Sequence, residues 1–120
     1  MEKYKKTIGY FGEGLAKNFL TRKSYKIIAS NIKLGYLEID VVAQDKKEIV
    51  FIEVKTKTST IFGSAEDALT SAQIKNLKRA ILIYCGQNKI NPNYVRLDFI
   101  AIDLNCKDKK AKIKHYKNII

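Results

Sequence analysis

Two largely apolar runs, Leu37 to Ala43 and Ile49 to Val54, are interrupted by Glu38, Asp40 and Glu53, and the polar stretch Asp45-Lys46-Lys47-Glu48 separates them. A period of two puts alternate side chains on one face, and β-branched and aromatic residues suit a pleated surface, so the pattern predicts a β-hairpin. On its first strand Leu37, Ile39, Val41 and Ala43 are expected on one face, with Glu38, Asp40 and Val42 on the other. On the second, Val50, Ile52 and Val54 oppose Phe51, Glu53, Lys55 and Lys57. A turn over Asp45 to Glu48 sets Gln44 across from Ile49 and Asp40 across from Glu53, where Cβ atoms lie roughly 5 Å apart. Upstream, Ile8, Phe11, Leu15 and Phe19 recur at helical spacing and predict a helix over Thr7 to Lys23, followed by a strand near Lys26 to Lys33. Downstream, Ser64 and Asp67 resemble a capping box that opens a helix to about Cys85, with Leu69, Gln73, Leu77, Ala80 and Tyr84 on its inner line. Asn91-Pro92-Asn93 breaks the chain before a strand over Tyr94 to Leu104, and Ala111 to Tyr116 reads as an edge strand protected by lysines.

Acids and a lysine within two otherwise apolar strands need a reason. Two carboxylates at cross-strand distance repel unless a pKa rises or a cation sits between them, and oxygen ligands favour magnesium, manganese or calcium over zinc. Lys55, on the face of Glu53, is placed to meet a substrate phosphate or to help activate water. The plain alternative is a half-solvated sheet on which Glu38, Asp40, Glu53 and Lys55 form surface ion pairs, the usual meaning of such alternation. Gln73 poses a related question, because an unpaired buried amide costs about 1 to 3 kcal/mol; it is expected either to bond the sheet or to reach the edge where Glu53 and Lys55 emerge.

The remaining features have milder readings. Gly9, Gly12 and Gly14 lack the spacing and the preceding strand of a dinucleotide loop, which leaves close backbone packing. Glu13, four residues before Lys17, reads as half of a surface ion pair. The segment Thr56 to Ser64 offers Lys57, Thr58 and Ser59 to phosphate oxygens, or is an ordinary polar loop. Lys75, Lys78 and Arg79 mark a solvated helix face that could also meet a phosphate backbone. Asp98 is expected to pair with Arg96 or a lysine, and His115, with no nucleophile or second histidine to serve, to pack or hydrogen-bond.

Composition adjusts this picture modestly. A chain of 120 residues without a shift in composition is expected to form one domain, 1–120. Its net charge of +11 and pI near 9.7 point to a polyanionic partner, most often nucleic acid. A membrane partner is disfavoured: no apolar run approaches the roughly 20 residues of a spanning helix, and the lysine-rich start is not followed by a signal-peptide core. Cys85 and Cys106 have no metal or redox spacing, which fits a reducing, cytoplasmic address.

Asp40, a strand's length of residues, then Glu53-Val54-Lys55 resembles the core motif of the PD-(D/E)xK nuclease superfamily. The wider set Gly9-x-x-Gly12-Glu13-x-x-Ala16, Glu38-Ile39-Asp40, Phe51-Ile52-Glu53-Val54-Lys55, Phe62-Gly63, Arg96-x-Asp98 and Ile113-x-His115-x-x-Asn118 resembles the YraN-like family of small uncharacterised bacterial proteins over nearly the whole chain. The element order α-β-β-β-α-β with a final short strand likewise resembles the restriction-endonuclease-like core, an α/β fold with a mixed central sheet flanked by helices.

The resemblance implies Mg²⁺- or Mn²⁺-dependent hydrolysis of nucleic-acid phosphodiesters, DNA taken before RNA. It implies metal ligands at Asp40 and Glu53, the Val54 carbonyl as a further one, Glu13 completing the site and Lys55 acting on the water. Gln73 stands where the family pattern leads one to expect lysine, so it is either an orienting residue or a replacement that weakens activity. A non-catalytic nucleic-acid-binding module with a nuclease-like fold is the alternative. A homodimer would be needed to cut two strands together.

Overall fold

The computed structural model describes residues 2–58, 63–105 and 107–120. Its elements run α1 (Glu2–Arg22), β1 (Lys26–Leu34), β2 (Leu37–Asp45), β3 (Glu48–Lys57), a 3₁₀ turn (Ala65–Ala68), α2 (Ser71–Asn88), a second 3₁₀ turn (Pro92–Tyr94), β4 (Val95–Asn105) and β5 (Lys110–Tyr116). The five strands form one sheet in the order β1-β2-β3-β4-β5. Among the described residues only β3 and β4 pair in parallel, which requires a crossover, and α2 supplies it. This is the mixed sheet flanked by helices that the element order predicts. Ser59, part of the expected phosphate-holding loop, lies outside the described residues, as do Phe62 and Cys106.

Both faces of the sheet are covered. One cluster joins Ala16 and Leu20 of α1 to Val41, Ala43, Val50, Ile52, Ile100 and Ile102. The other joins Leu77, Ala80, Ile81 and Tyr84 of α2 to Leu37, Ile39, Val42, Phe51 and Leu97. On β3 the alternation is as expected, with Val50, Ile52 and Val54 toward α1 and Phe51 toward α2.

On β2 it is not. Leu37 and Ile39 pack toward α2 with Val42, whereas Val41 and Ala43 pack toward α1. The cause lies partly on the neighbouring strand: Ser30 pairs Val41 and Ile32 pairs Ile39, so Asn31 falls across from Asp40, and Asn31 has φ 53°. Asparagine tolerates this left-handed conformation better than most residues. β1 changes phase at the same place, since Ala29 and Ile32, three residues apart, both pack in the α2 cluster; a separate register shift between Ile27 and Ala29 puts Ile27 in the α1 cluster. The irregularity where both strands turn over is centred on Asp40.

α1 begins before Thr7, and its buried line is Gly12, Ala16 and Leu20, with Phe11 51% exposed instead of leading the stripe. Gly12 sets this rotation. A Cβ there would lie 1.8 Å from Thr56 Oγ1, so the helix backbone rests directly on β3, while Gly9 and Gly14 have nothing within 4 Å. Gly12→Ala is therefore expected to destabilise by about 1 to 3 kcal/mol through overpacking, although alanine favours helix. Gly14→Ala should leave the urea midpoint unchanged or raise it, so similar losses in both variants would refute the contact.

The second helix also differs from expectation. Ser64 precedes only the short 3₁₀ turn, with Ser64 Oγ donating to Asp67 Oδ2 at 3.1 Å. The true cap is Thr70. Its Oγ1 accepts from the Gln73 N–H at 3.1 Å, and its own N–H donates to Gln73 Oε1 at 3.1 Å, a complete capping box.

Candidate functional site

Asp40 occupies the point where the β2–β3 ladder opens. The register matches expectation, with Gln44 across from Ile49 and Val41 across from Ile52, but pairing ends there. In place of a backbone bond, the Asp40 carboxylate accepts the Val54 N–H at 2.9 Å. This ties the acid to β3 and holds it beside Glu53.

Glu53 shows the consequence of that proximity. Its side chain is only 12% exposed, and its pKa is driven far above the usual carboxylate range by burial first and then by hydrogen bonding and repulsion with Asp40. The Lys55 ammonium, 3.6 Å from Glu53 Oε2, pulls the other way without prevailing. Asp40, Glu53 and Lys55 are half-buried and Glu38 is exposed, so the Glu53–Lys55 ion pair of the surface alternative is present, beside an acid pair whose charges repel.

Glu13 reaches the pair from α1 and is not half of a surface ion pair. Its Oε1 is buried with no hydrogen-bond partner, and its pKa is pushed up to about 7 by burial, then by repulsion from Asp40 and Glu38, against the weaker pull of Lys17. Glu38 is exposed at the rim. Among the described residues no three Asp, Glu, His or Cys side chains are gathered closely enough to cage a metal ion. Asp40, Glu53 and the orphaned Glu13 oxygen nevertheless form an oxygen-rich, repulsive set that a hard divalent cation would relieve.

A cleft of ≈ 260 Å³ opens from Glu53 between Glu38, Tyr36, Gln73 and Asn76. Gln73 thus does reach the edge where Glu53 emerges, but its Oε1 is committed to Thr70, which leaves its amide NH₂ as the group able to face a ligand. Tyr36 and Asn76 were not singled out from the sequence, since neither breaks a pattern. Arg79 donates to Tyr36 Oη at 2.8 Å, whereas Lys75 and Lys78 stand exposed on α2 and do not line the cleft. Lys57 and Thr58 continue β3 beyond Lys55, half-buried at the mouth of a separate groove.

The other charged residues of the sequence pattern assemble elsewhere. Arg96 clasps the fully buried Asp98 through Nε to Oδ1 at 2.8 Å and Nη2 to Oδ2 at 3.0 Å. His115 Nε2 lies 2.8 Å from Oδ2, and the Asn118 N–H donates to Oδ1 at 3.0 Å. Arg96 also reaches Tyr25 Oη, Asp45 and Glu48. Asp98 pairs with Arg96 and His115 hydrogen-bonds and packs, as their sequence context suggested; Cys85 is a buried free thiol.

Residues 12–102, which include all the acids of the cleft, Lys55 and Asp98, match the model of an uncharacterised protein family, UPF0102. The chain is 40% identical over 112 residues to a UPF0102 protein of Syntrophomonas wolfei, covering 92% of this chain and 95% of that one. It is 34% identical to one from Carboxydothermus hydrogenoformans, covering 97% of each, and 32% identical to one from Clostridium perfringens strain 13, covering 98% of this chain and 97% of the relative.

Proposed function

The chain belongs to the uncharacterised protein family UPF0102, the YraN-like family, and from that premise we propose that it is a metal-dependent nuclease that hydrolyses phosphodiester bonds of nucleic acid, DNA before RNA. The observation that carries this reading is the half-buried, mutually repulsive Asp40–Glu53 pair with Lys55 3.6 Å from Glu53. Ion pairs built for stability match charges; this site instead crowds acids whose charges are mutually unfavourable, an arrangement more useful for binding a cation than for holding a fold.

Asp40 and Glu53 would hold one or two Mg²⁺ or Mn²⁺ ions, with the Val54 carbonyl and Glu13 completing the set. Such an ion, when bound, withdraws electron density from the scissile phosphate and acidifies water. Lys55 orients the attacking water or takes its proton, and its charge offsets that developing on the phosphate. Gln73 steadies the substrate through its amide NH₂. Lys57, Lys75, Lys78 and Arg79 hold the backbone electrostatically, and the Thr58 hydroxyl offers a hydrogen bond to a phosphate oxygen. No helix among the described residues is long and apolar enough to cross a membrane. A homodimer would pair two such sites for double-strand cutting.

A second reading, a non-catalytic nucleic-acid-binding module, is favoured by one observation: Gln73 stands on the cleft with half of its amide used for helix capping. Incubation with Mg²⁺ or Mn²⁺ and labelled duplex, single-stranded, flap and four-way-junction DNA plus RNA separates the two. Cleavage supports the nuclease; binding without cleavage under all these conditions transfers the assignment to the module.

The acid pair also sets a pH dependence. Glu13 and Glu53 have folded-state pKa values raised from 4.5, Glu13 to about 7 by burial and by repulsion from Asp40 and Glu38, and Glu53 further by burial and by hydrogen bonding and repulsion with Asp40. For an acid raised on folding, the protonated form favours the native state, so the metal-free protein loses stability as pH rises from 4.5 through 7 and beyond. A divalent cation must displace these protons. Mg²⁺ is therefore expected to raise the unfolding temperature more at pH 8.5 than at pH 6, and equal shifts at both values would show that these carboxylates do not receive it.

A further inference from the structure

Where Gly12 rests on Thr56, α1 divides its neighbours: Glu13 falls beside Asp40 and Glu38, and Phe11 falls on the side of β4 and β5. There Phe11 and Leu15 face Leu104 across a groove of ≈ 440 Å³ whose far wall carries Lys109 and Lys110. A second groove, of ≈ 610 Å³, begins at Lys57 and Thr58 and is walled by Asp103, Lys110 and Lys112. The two share Leu104, Asn105, Lys110 and Ala111, so they form one channel around the end of the sheet. It begins at Lys57, two residues beyond Lys55 on the same face of β3, and among the described residues it shares no lining residue with the cleft at Glu53.

The lining has two kinds of surface. Lys57, Lys109, Lys110 and Lys112 supply positive charge, and the acid among the described lining residues, Asp103, is committed through Oδ1 to the Ala65 N–H at 2.8 Å. Phe11, Leu15, Leu104 and Ala111 supply an apolar wall beside them. Phe11 is 51% exposed, and Tyr4, seven residues earlier on the same helix face, is 58% exposed. A duplex turns phosphates and sugars outward and hides its base faces, so it would use the lysines and leave the aromatic wall empty. An unpaired strand offers both a charged backbone and free base faces, and a basic groove edged by aromatics suits it.

We propose that this channel holds a single-stranded segment of nucleic acid, its phosphates on Lys57, Lys110 and Lys112 and a base stacked on Phe11. The substrate of the adjoining site is then nucleic acid with an unpaired stretch next to the scissile bond. This deepens the nuclease reading and rests on its nucleic-acid partner.

Fluorescence anisotropy in EDTA, with a labelled oligothymidylate and a duplex of equal length, tests the channel without requiring cleavage. Phe11→Ala is expected to weaken oligothymidylate binding at least about fivefold, the scale of losing one stacked base, and to leave duplex binding within about twofold. Phe11→Trp should retain tight binding, and Lys110→Glu should weaken both ligands. Equal effects of Phe11→Ala on both, or none on either, overturns the proposal. Cleavage of flap and blunt duplex by the wild type with Mg²⁺ is scored separately. Phe11-dependent binding without cutting keeps the channel and ends the nuclease reading; equal cutting of blunt and flapped DNA by wild type and Phe11→Ala ends the channel and keeps the nuclease.

Discussion

Asp40→Asn is expected to lower cleavage by at least about 10²- to 10³-fold, the range for losing one group that stabilises charge in a transition state, while leaving the protein folded. The two halves of this expectation have separate physical grounds. Asparagine keeps an oxygen that can accept the Val54 N–H, now bonded at 2.9 Å, so the link between β2 and β3 survives. What disappears is a negative charge beside Glu53, whose pKa is already driven up by burial and by Asp40. Metal-free Asp40→Asn should therefore unfold at the same or a higher temperature than wild type above pH 7, where the crowded acids are least comfortable. Lys55→Ala should lose cleavage similarly and keep the fold, since its ammonium is partly exposed. Activity on the preferred substrate, read beside a thermal unfolding curve, checks both statements. Collapse of either variant would mean that these residues hold the sheet together.

Asp40 also marks where local pattern stops informing. The faces of β3 were legible because that strand is regular, and the four-residue turn fixed the β2–β3 register correctly. The change of face within β2 was not legible: it accompanies a positive φ at Asn31, one strand away, and nothing in Leu37 to Ala43 signals it. The close backbone packing expected of the glycines is present at Gly12, which brings α1 against Thr56, and absent at Gly9 and Gly14; helical spacing of the apolar residues alone did not show that this contact, and not Phe11, leads the buried stripe. The cap of α2 could have been found, because Thr70-x-x-Gln73 satisfies the capping-box rule better than Ser64-x-x-Asp67 and explains why a glutamine sits on that line. Glu13 reads as a surface residue by helical spacing alone; its place at the carboxylate pair depends on how α1 crosses the sheet, which only tertiary structure decides.

Replacing Asp98 is expected to give the largest loss of stability in the chain. Its carboxylate is fully buried and takes bonds from Arg96, His115 and the Asn118 backbone, with Tyr25 Oη at 3.4 Å, so one side chain joins β4, β5, the tail after β5 and the start of β1. The tail is fixed here too, where the Ile119 N–H donates to the Leu97 carbonyl at 2.8 Å. Removing one member of a buried ion pair costs about 3 to 5 kcal/mol because the partner's charge is left without compensation. Typical domains have about 5 to 15 kcal/mol in total, so Asp98→Ala is expected to fold poorly, and Asp98→Asn is the variant to measure. Asparagine fills the volume but turns an NH₂ toward donors on Arg96 or His115.

The pH dependence identifies the source of the loss. Burial alone would raise the Asp98 pKa, yet hydrogen bonds from His115, Arg96 and Asn118 hold it from 3.8 down to about 2. A depressed acid stabilises the fold above its unfolded value and loses that contribution as pH falls through the folded one, here between about 4 and 2. Urea midpoints of wild type and Asp98→Asn should therefore differ widely at pH 7 and converge near pH 2. A gap that persists at low pH would show that shape and packing at this position matter, and that the buried charge does not.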